Sequence, residues 1–446
     1  MPSDRRRSNL STVIPERILA RRSAASLALA ALCAWPLAST VWAQSIASPE
    51  DLRAQIEALR AEQAHIAELQ RQTDAKLRAL EAGLGSAPQP AASANTDSTP
   101  MAATDPKPRL TATGDMRLRY QGDYSDVDAR NRDSTQLRAR LGATYAVNDR
   151  VTIGARLVTG DPDDPNSTDV QLSNFDDDLQ VSLDLAYAQL NLGELKLYGG
   201  KIPQPFARTD LVWDSDVNPQ GVSAVYKRAL ADGSALRANS LFFVIDENAV
   251  AADSTMVGGQ LGYDSAAFSD WKLDASVAYY DYHLGSVAGG DAGDFRSNLR
   301  NADGSYRSDF DLADLLIGAT WSGTNERWPA RVLGNYVHNF GADTSADTGY
   351  GIDVTAGRAS KPSDWRLTYG YSVAETDAVL AAFSHDNIGI GTNYRLHALT
   401  LDYVPWPKTL ISAIWYHYEP DHALDAGSND PGDWLDRVRV AFLMSF

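Results

Sequence analysis

The stretch DRVRVAFLMSF (residues 436–446) places Val438, Val440, Phe442, Met444 and Phe446 at every second position. Arg437, Arg439, Ala441, Leu443 and Ser445 fill the alternate places. A period of two puts successive side chains on opposite faces of a β-strand, here one apolar face and one mixed face. Chain ends are ordinarily frayed and polar, so an alternation kept to the last residue asks for a reason. A soluble sheet and a membrane-spanning strand both fit the pattern, and the residues before it decide.

From Arg109 onward, segments of roughly ten residues alternate in the same way, as strands of a membrane barrel do. Leu137, Ala139, Leu141, Ala143 and Tyr145 share a face in LRARLGATYAV. Val181, Leu183, Leu185 and Tyr187 do so in LQVSLDLAYAQ, and Trp271, Leu273, Ala275, Val277 and Tyr279 in WKLDASVAYYDY. The opposite faces carry Arg138, Arg140, Ser182, Asp184, Lys272 and Asp274. Short polar turns are expected at 147–150, 192–195, 231–234, 267–270, 322–327, 360–364 and 405–408. Longer acidic loops are expected at 121–133, 161–178, 202–220, 247–254, 284–310, 341–348, 376–390 and 421–432. Alternating short turns and long loops predict an all-β chain, a transmembrane antiparallel β-barrel of sixteen strands. A sandwich or propeller would need bulky apolar residues on its interior face, whereas here the face opposite the apolar one is charged. Tyr120, Trp271, Tyr282, Trp321, Trp328, Trp365, Trp406 and Trp434 suit the two interfacial girdles.

The first 108 residues read differently. Six arginines precede or enter the apolar run AASLALAALCAWPLA, and Val41 and Ala43 mark a cut before Gln44, so residues 1–43 read as a Sec signal peptide. Leu32 ahead of Cys33 disfavours a lipoprotein signal. Removing this segment takes away six arginines and two acids, moving the net charge from −18 to −22, and it removes the one cysteine. Such acidity argues against nucleic acid as a partner. Residues 44–84 carry an unbroken heptad seam through Leu52, Ile56, Leu59, Gln63, Ile66, Gln70, Thr73, Leu77, Leu80 and Leu84, a periplasmic coiled coil with a polar middle. Ser48, Pro49 and Asp51 mark its start. Residues 85–108, rich in Pro, Ala, Ser and Thr, read as a flexible linker.

GDMRLRY (114–120), LRARLGATYAVNDRVTIGARLVTGD (137–161) and above all GGKIPQPFARTDLVWDSDVNPQGVSAVY (199–226) resemble the putative-porin family of Gram-negative outer membranes. Gly200, Lys201, Pro205, Phe206, Trp213, Asp214, Asp216, Asn218, Pro219 and Gly221 occupy its most specific run. A signal, coiled coil and linker ahead of a barrel is also similar in layout to phosphate-selective porins. The resemblance implies a pore for small hydrophilic solutes or ions in the cell outer membrane, without a cofactor and without enzymatic activity.

If the apolar faces meet lipid, the other faces line the lumen. Arg117, Arg119, Arg138, Arg140, Arg156, Arg437 and Arg439 then stand on four adjacent strands, since closure sets the last strand beside the first. A charge on the lipid face would cost about 2–4 kcal/mol at the midplane, which favours the inward direction. The third long loop, at the position that folds inward in general porins, carries Asp210, Asp214 and Asp216; carboxylates facing Arg117, Arg119, Arg138 and Arg140 would set a transverse field and an anion preference. The same WDSDVNPQG residues also suit a turn satisfying its own backbone. DPDDPNSTD (161–169), Asp176, Asp177 and Asp178 suit divalent cations at the cell surface but read first as acidic solvated loop, and the seven histidines have no metal-ligand spacing. Phe442, Met444 and Phe446 look like the C-terminal signal read by the outer-membrane assembly machinery, and the coiled coil suggests a homotrimer. The competing functions are a surface receptor or adhesin barrel without conductance and a barrel hydrolase; the latter lacks a defensible serine–histidine–acid set.

Overall fold

The computed structural model describes residues 109–446 except 127–130, 163–166, 174, 176–178, 250–251, 286–297, 324 and 423–433. The expected signal peptide, coiled-coil seam (Leu52, Ile56, Leu59, Ile66, Leu77, Leu80) and linker, and the run Asp176–Asp178, lie outside the described residues.

The chain forms β1 (Leu110–Tyr124), β2 (Arg132–Ala146), β3 (Val151–Thr159), β4 (Val170–Gln171), β5 (Val181–Leu192) and β6 (Leu195–Lys201). Then come β7 (Gln220–Ala229), β8 (Ala235–Asp246), β9 (Ser254–Asp264), β10 (Trp271–Leu284), β11 (Phe310–Trp321) and β12 (Ala330–Asn339). The last five are β13 (Thr348–Gly357), β14 (Trp365–Ala374), β15 (Tyr394–Tyr403), β16 (Thr409–Pro420) and β17 (Leu435–Ser445). Apart from β4, a two-residue strand that pairs with β2 from within the second long loop, each strand pairs antiparallel with its chain neighbours. The remaining sixteen close into a barrel through β1 and β17, where Tyr120 faces Val440 and Asp115 faces Ser445. The expected turns and loops fall where the pattern placed them, except that β1 and β2 continue well into the stretch read as the first loop.

Closure leaves no unpaired sheet edge, which is what backbone in lipid requires. The outer surface is a continuous apolar band: Leu261 is 63% exposed and Leu141 54%, with Ile153, Val277, Ile317, Val354 and Leu401 alike exposed. A band of this extent needs a lipid partner. Trp271, Trp328, Trp365 and Trp406 ring the short-turn rim on this surface.

Two facing assignments need correction. A β-bulge between Arg156 and Leu157 shifts β3 against β5, so Val181 and Leu183 face outward while Leu185 is buried. Tyr187 follows Leu185 to the inside and meets Tyr198 ring to ring at 5.9 Å. Tyr282 is buried inside the barrel rather than placed in a girdle.

The interior also differs from a uniformly charged lumen. Leu241, Phe243, Met256, Tyr280, Tyr282, Phe310, Leu312, Tyr394 and Leu396 point inward and form an apolar core with two loops folded into the barrel. These are L3, residues 202–219, and L7, residues 375–393.

L3 leaves and rejoins the wall at two glycines set opposite each other, Gly200 on β6 and Gly221 on β7. Their φ angles are +119° and +145°, and a Cβ would fall 2.3 Å from the Ala186 carbonyl oxygen and 2.1 Å from that of Phe242. Only glycine fits there. Gly221→Ala should therefore cost the barrel about 1–3 kcal/mol through strain alone. The readout is a lower temperature for loss of the folded, fast-migrating form on SDS gels. Gly259→Ala, at an exposed site with open space, should leave that temperature unchanged.

Candidate functional site

The inward loops and the arginine-bearing wall define the site. L3 is pinned at several points. Ile202 extends the β6–β7 ladder by donating to the Pro219 carbonyl at 2.8 Å, and Lys201 Nζ donates to the Asn218 carbonyl at 3.1 Å. Farther in, the buried amide of Gln260 on β9 clamps Ala207, accepting from its N–H and donating to its carbonyl, each at 2.8 Å. Phe206 packs on Tyr280 with centroids 5.1 Å apart.

At the tip, Trp213 is fully buried, stacked on Phe383 of L7 at 5.5 Å and edge-on to Tyr280 at 5.6 Å. Truncating such a ring typically costs about 3–5 kcal/mol. A single hydrogen bond contributes about 0.5–1.5 kcal/mol. Ring packing, more than any one tether, fixes L3 inside the barrel.

L7 is the partner that sequence reading left as ordinary loop. Its run Ala378–Phe383 is entirely buried. Asn298 from the fifth long loop donates to the Thr376 and Val379 carbonyls at 2.9 Å each and accepts from Ala381 N–H at 2.8 Å. L3 and L7 also exchange backbone bonds: Asp214 N–H to the Phe383 carbonyl at 2.8 Å, and His385 N–H to the Asp210 carbonyl at 3.1 Å. The signal for L7 was present as an apolar AVLAAF run inside an otherwise polar loop.

The seven inward arginines do gather on β1, β2, β3 and β17, but acids and amides cover them. Arg117 and Arg119 each approach Asp169 of the second long loop at 2.5 Å. Asp115 receives Arg138 at 3.0 Å and Arg140 at 2.8 Å. Arg156 pairs with Asp184, and Arg437 with Asp123 at 2.5 Å. Arg439 donates to Gln121 and to Asn387 of L7, both at 2.8 Å. Arg119, Arg138 and Arg439 are buried and do not face open water; Arg119 and Arg439 anchor loops, and Arg138 ties β2 to β1 through Asp115. Arg117, Arg140, Arg156 and Arg437 retain partial exposure.

Of the three L3 carboxylates, Asp216 alone contacts one of the four expected arginines: Arg140 Nη1 donates to it at 3.4 Å, and Thr168 Oγ1 at 3.1 Å. Asp214 instead accepts the Asp216 N–H at 2.7 Å, closing the local turn. Asp210 accepts from Asn387 Nδ2 at 3.1 Å. Asp115 and Gln260 were missed in sequence, and Asp184 on its inner face and Asp169 in its acidic loop were read without their arginine partners, because a polar side chain carries no mark of what it will meet.

Burial raises the Asp214 carboxyl, and the neighbouring Asp386 and Asp210 push it further. The surrounding protein pushes Asp210 up to about 6, although its own surface is open to water and that moderates the push. Burial, aided by Arg439 and Arg437, holds His385 down to about 4, so its ring is neutral at pH 7.

No curated protein sequence matches the chain. Residues 126–293 match the family described as "Putative porin", so the resemblance is shown over the part of the chain that includes L3. The barrel is similar to Salmonella typhi OmpF in complex with daunomycin, at 14% identity and TM-score 0.49, covering 76% of this chain and 97% of that one. It is also similar to the trimer form of OmpT, an outer-membrane protein of Vibrio cholerae, at 14% identity and TM-score 0.45, covering 76% and 100%. A Rhodopseudomonas blastica porin triple mutant aligns at 12% identity and TM-score 0.41, over 76% and 100%. With the lipid-facing band, the family match marks the chain as a porin-like barrel of the outer membrane.

The raised carboxyls give a pH dependence with a definite sign. A carboxyl held above its ordinary range disfavours the folded contact when ionised, so the L3–L7 contact gains strength as pH falls through the raised value. Between pH 8 and pH 5, above the His385 range, the loops should become more resistant to added protease. Asp214→Asn should be better protected than the unchanged chain at pH 8, with a smaller further gain on acidification, the part that Asp210 supplies.

Proposed function

We propose that the protein is a passive diffusion pore whose narrowest part lies between the arginine-bearing wall and the inward L3 and L7. The observation that carries this reading is the pair of loops folded into a closed barrel and tied to that wall. Arg140 reaches Asp216 of L3, while Arg437 and Arg439 reach Asn387 of L7 at 2.9 and 2.8 Å. A barrel of sixteen strands is wide enough for an aqueous channel, and loops that enter it set the size limit. Carboxylates on one side and guanidiniums on the other place a field across the passage, which orients dipolar solutes. Because most of the arginines already hold a carboxylate, the anion preference is mild. Arg117, Arg140, Arg156 and Arg437 act as pore-lining residues, and Asp210 and Asp216 as the facing charges.

The remaining features complete the reading. The long loops lie on the extracellular side and the short turns in the periplasm, and three copies of the barrel associate. Phe442, Met444 and Phe446 serve the assembly machinery, Phe446 also bonding Gly114 as its N–H donates to the Gly114 carbonyl at 3.0 Å.

The refolded protein should give stepwise ion currents in planar bilayers. The double substitution Arg117→Glu/Arg140→Glu removes the cation of Asp216 and leaves Asp169 and Asp115 with one arginine each, Arg119 and Arg138. It should shift the reversal potential in a salt gradient towards cation selectivity. An unchanged reversal potential would show that the arginine wall does not govern permeation, and absence of current would overturn the pore.

A further inference from the structure

Inside the barrel, a cavity of about 330 Å³ lies between L3 and the inner faces of β12 to β16. Three charged side chains line it: Arg208 and Asp210 from L3, and Asp353 from β13. Most other inward charges are neutralised locally, as in Arg331 with Asp274 and Arg366 with Asp402, both at 2.6 Å. The cavity charges are not. The Arg208 guanidinium donates to the Trp213 and Ser215 carbonyls, at 3.5 and 3.4 Å, and meets no carboxylate among the described residues. The Asp353 side chain makes no hydrogen bond or ion pair among the described residues. Its carboxylate lies over Gly370, where a Cβ would come within 2.6 Å of Oδ1.

His385 is buried at 4% exposure, borders this cavity, and has no partner for either ring nitrogen. A neutral imidazole there offers one donor and one acceptor. Its ring sits edge-on to Tyr394 at 5.1 Å, so neither nitrogen is turned to satisfy a neighbouring backbone. Both ring nitrogens are shut off from the open space of the cavity, so the ring serves as neutral lining and the charged groups do the recognition.

We propose that this cavity is a recognition subsite for small zwitterions, of which neutral α-amino acids are the simplest. Arg208 takes the carboxylate, and Asp353 with Asp210 takes the ammonium. A simple anion would meet two carboxylates, and a simple cation would meet Arg208; a zwitterion answers both signs. The proposal rests on the diffusion-pore reading and adds a solute class to it.

The test titrates L-leucine, its anionic N-acetyl derivative and its cationic amide into single-channel recordings of the full-length protein in potassium chloride. L-leucine should reduce the current saturably at concentrations about tenfold below either derivative, a difference of about 1.4 kcal/mol. Asp353→Asn and Arg208→Gln should each weaken block by L-leucine by about tenfold, with folding checked by gel migration. The comparison of three solutes on the unmodified protein needs no variant to fold. Current without selective block by L-leucine, or equal block by the amide, overturns the zwitterion subsite and leaves the pore standing. No current at all overturns the pore and the subsite with it.

Discussion

Everything in this molecule depends on the pairing of β1 with β17. In lipid no water is available to satisfy backbone N–H and C=O groups, so a sheet must close or fail. The register Met116–Met444, Leu118–Phe442, Tyr120–Val440 joins two apolar faces on the outside. The same register brings Arg119, Gln121 and Arg439 together on the inside, where Arg439 donates to Gln121. Closure completes the basic wall, because it sets Arg437 and Arg439 of β17 beside the arginines of β1 at the other end of the barrel's sequence.

A closed barrel of this width cannot fill its interior with wall side chains alone. Here the chain fills part of it with loops. On one side the wall turns tyrosines, phenylalanines and leucines inward against Trp213 and Phe383. On the other it presents arginines that hold loop acids. The apolar side supplies rigidity, and the charged side, where loops are tied to arginines, is where the proposed polar passage runs. Two positive-φ glycines let L3 depart sharply from its ladder, which explains why glycine stands at both feet of the GGK … NPQG run.

Much of this was legible in the sequence, for identifiable reasons. Strand period, turn chemistry and the short–long alternation are local properties, so the strand count and the turns could be read directly. Inward direction of the arginines followed from the cost of charge in lipid. What could not be read was non-local. The bulge at Arg156/Leu157 reverses the facing of Leu185 and Tyr187 without altering the alternation around it. Tyr282 looks like a girdle residue until L3 is seen beside it. The role of Asp169 depends on how the second loop bends, and that of Asn387 on L7 entering the barrel. Pairing of an arginine to an acid fifty residues away has no periodic signature.

The central claim is that two packed loops narrow a closed sixteen-stranded barrel to a small polar passage. The most direct measurement is single-channel conductance of the refolded full-length protein with neutral polyethylene glycols of graded size. The account predicts steady current that only the smallest polymers reduce. Entry of polymers large enough to fill an unobstructed barrel of this strand number would contradict it.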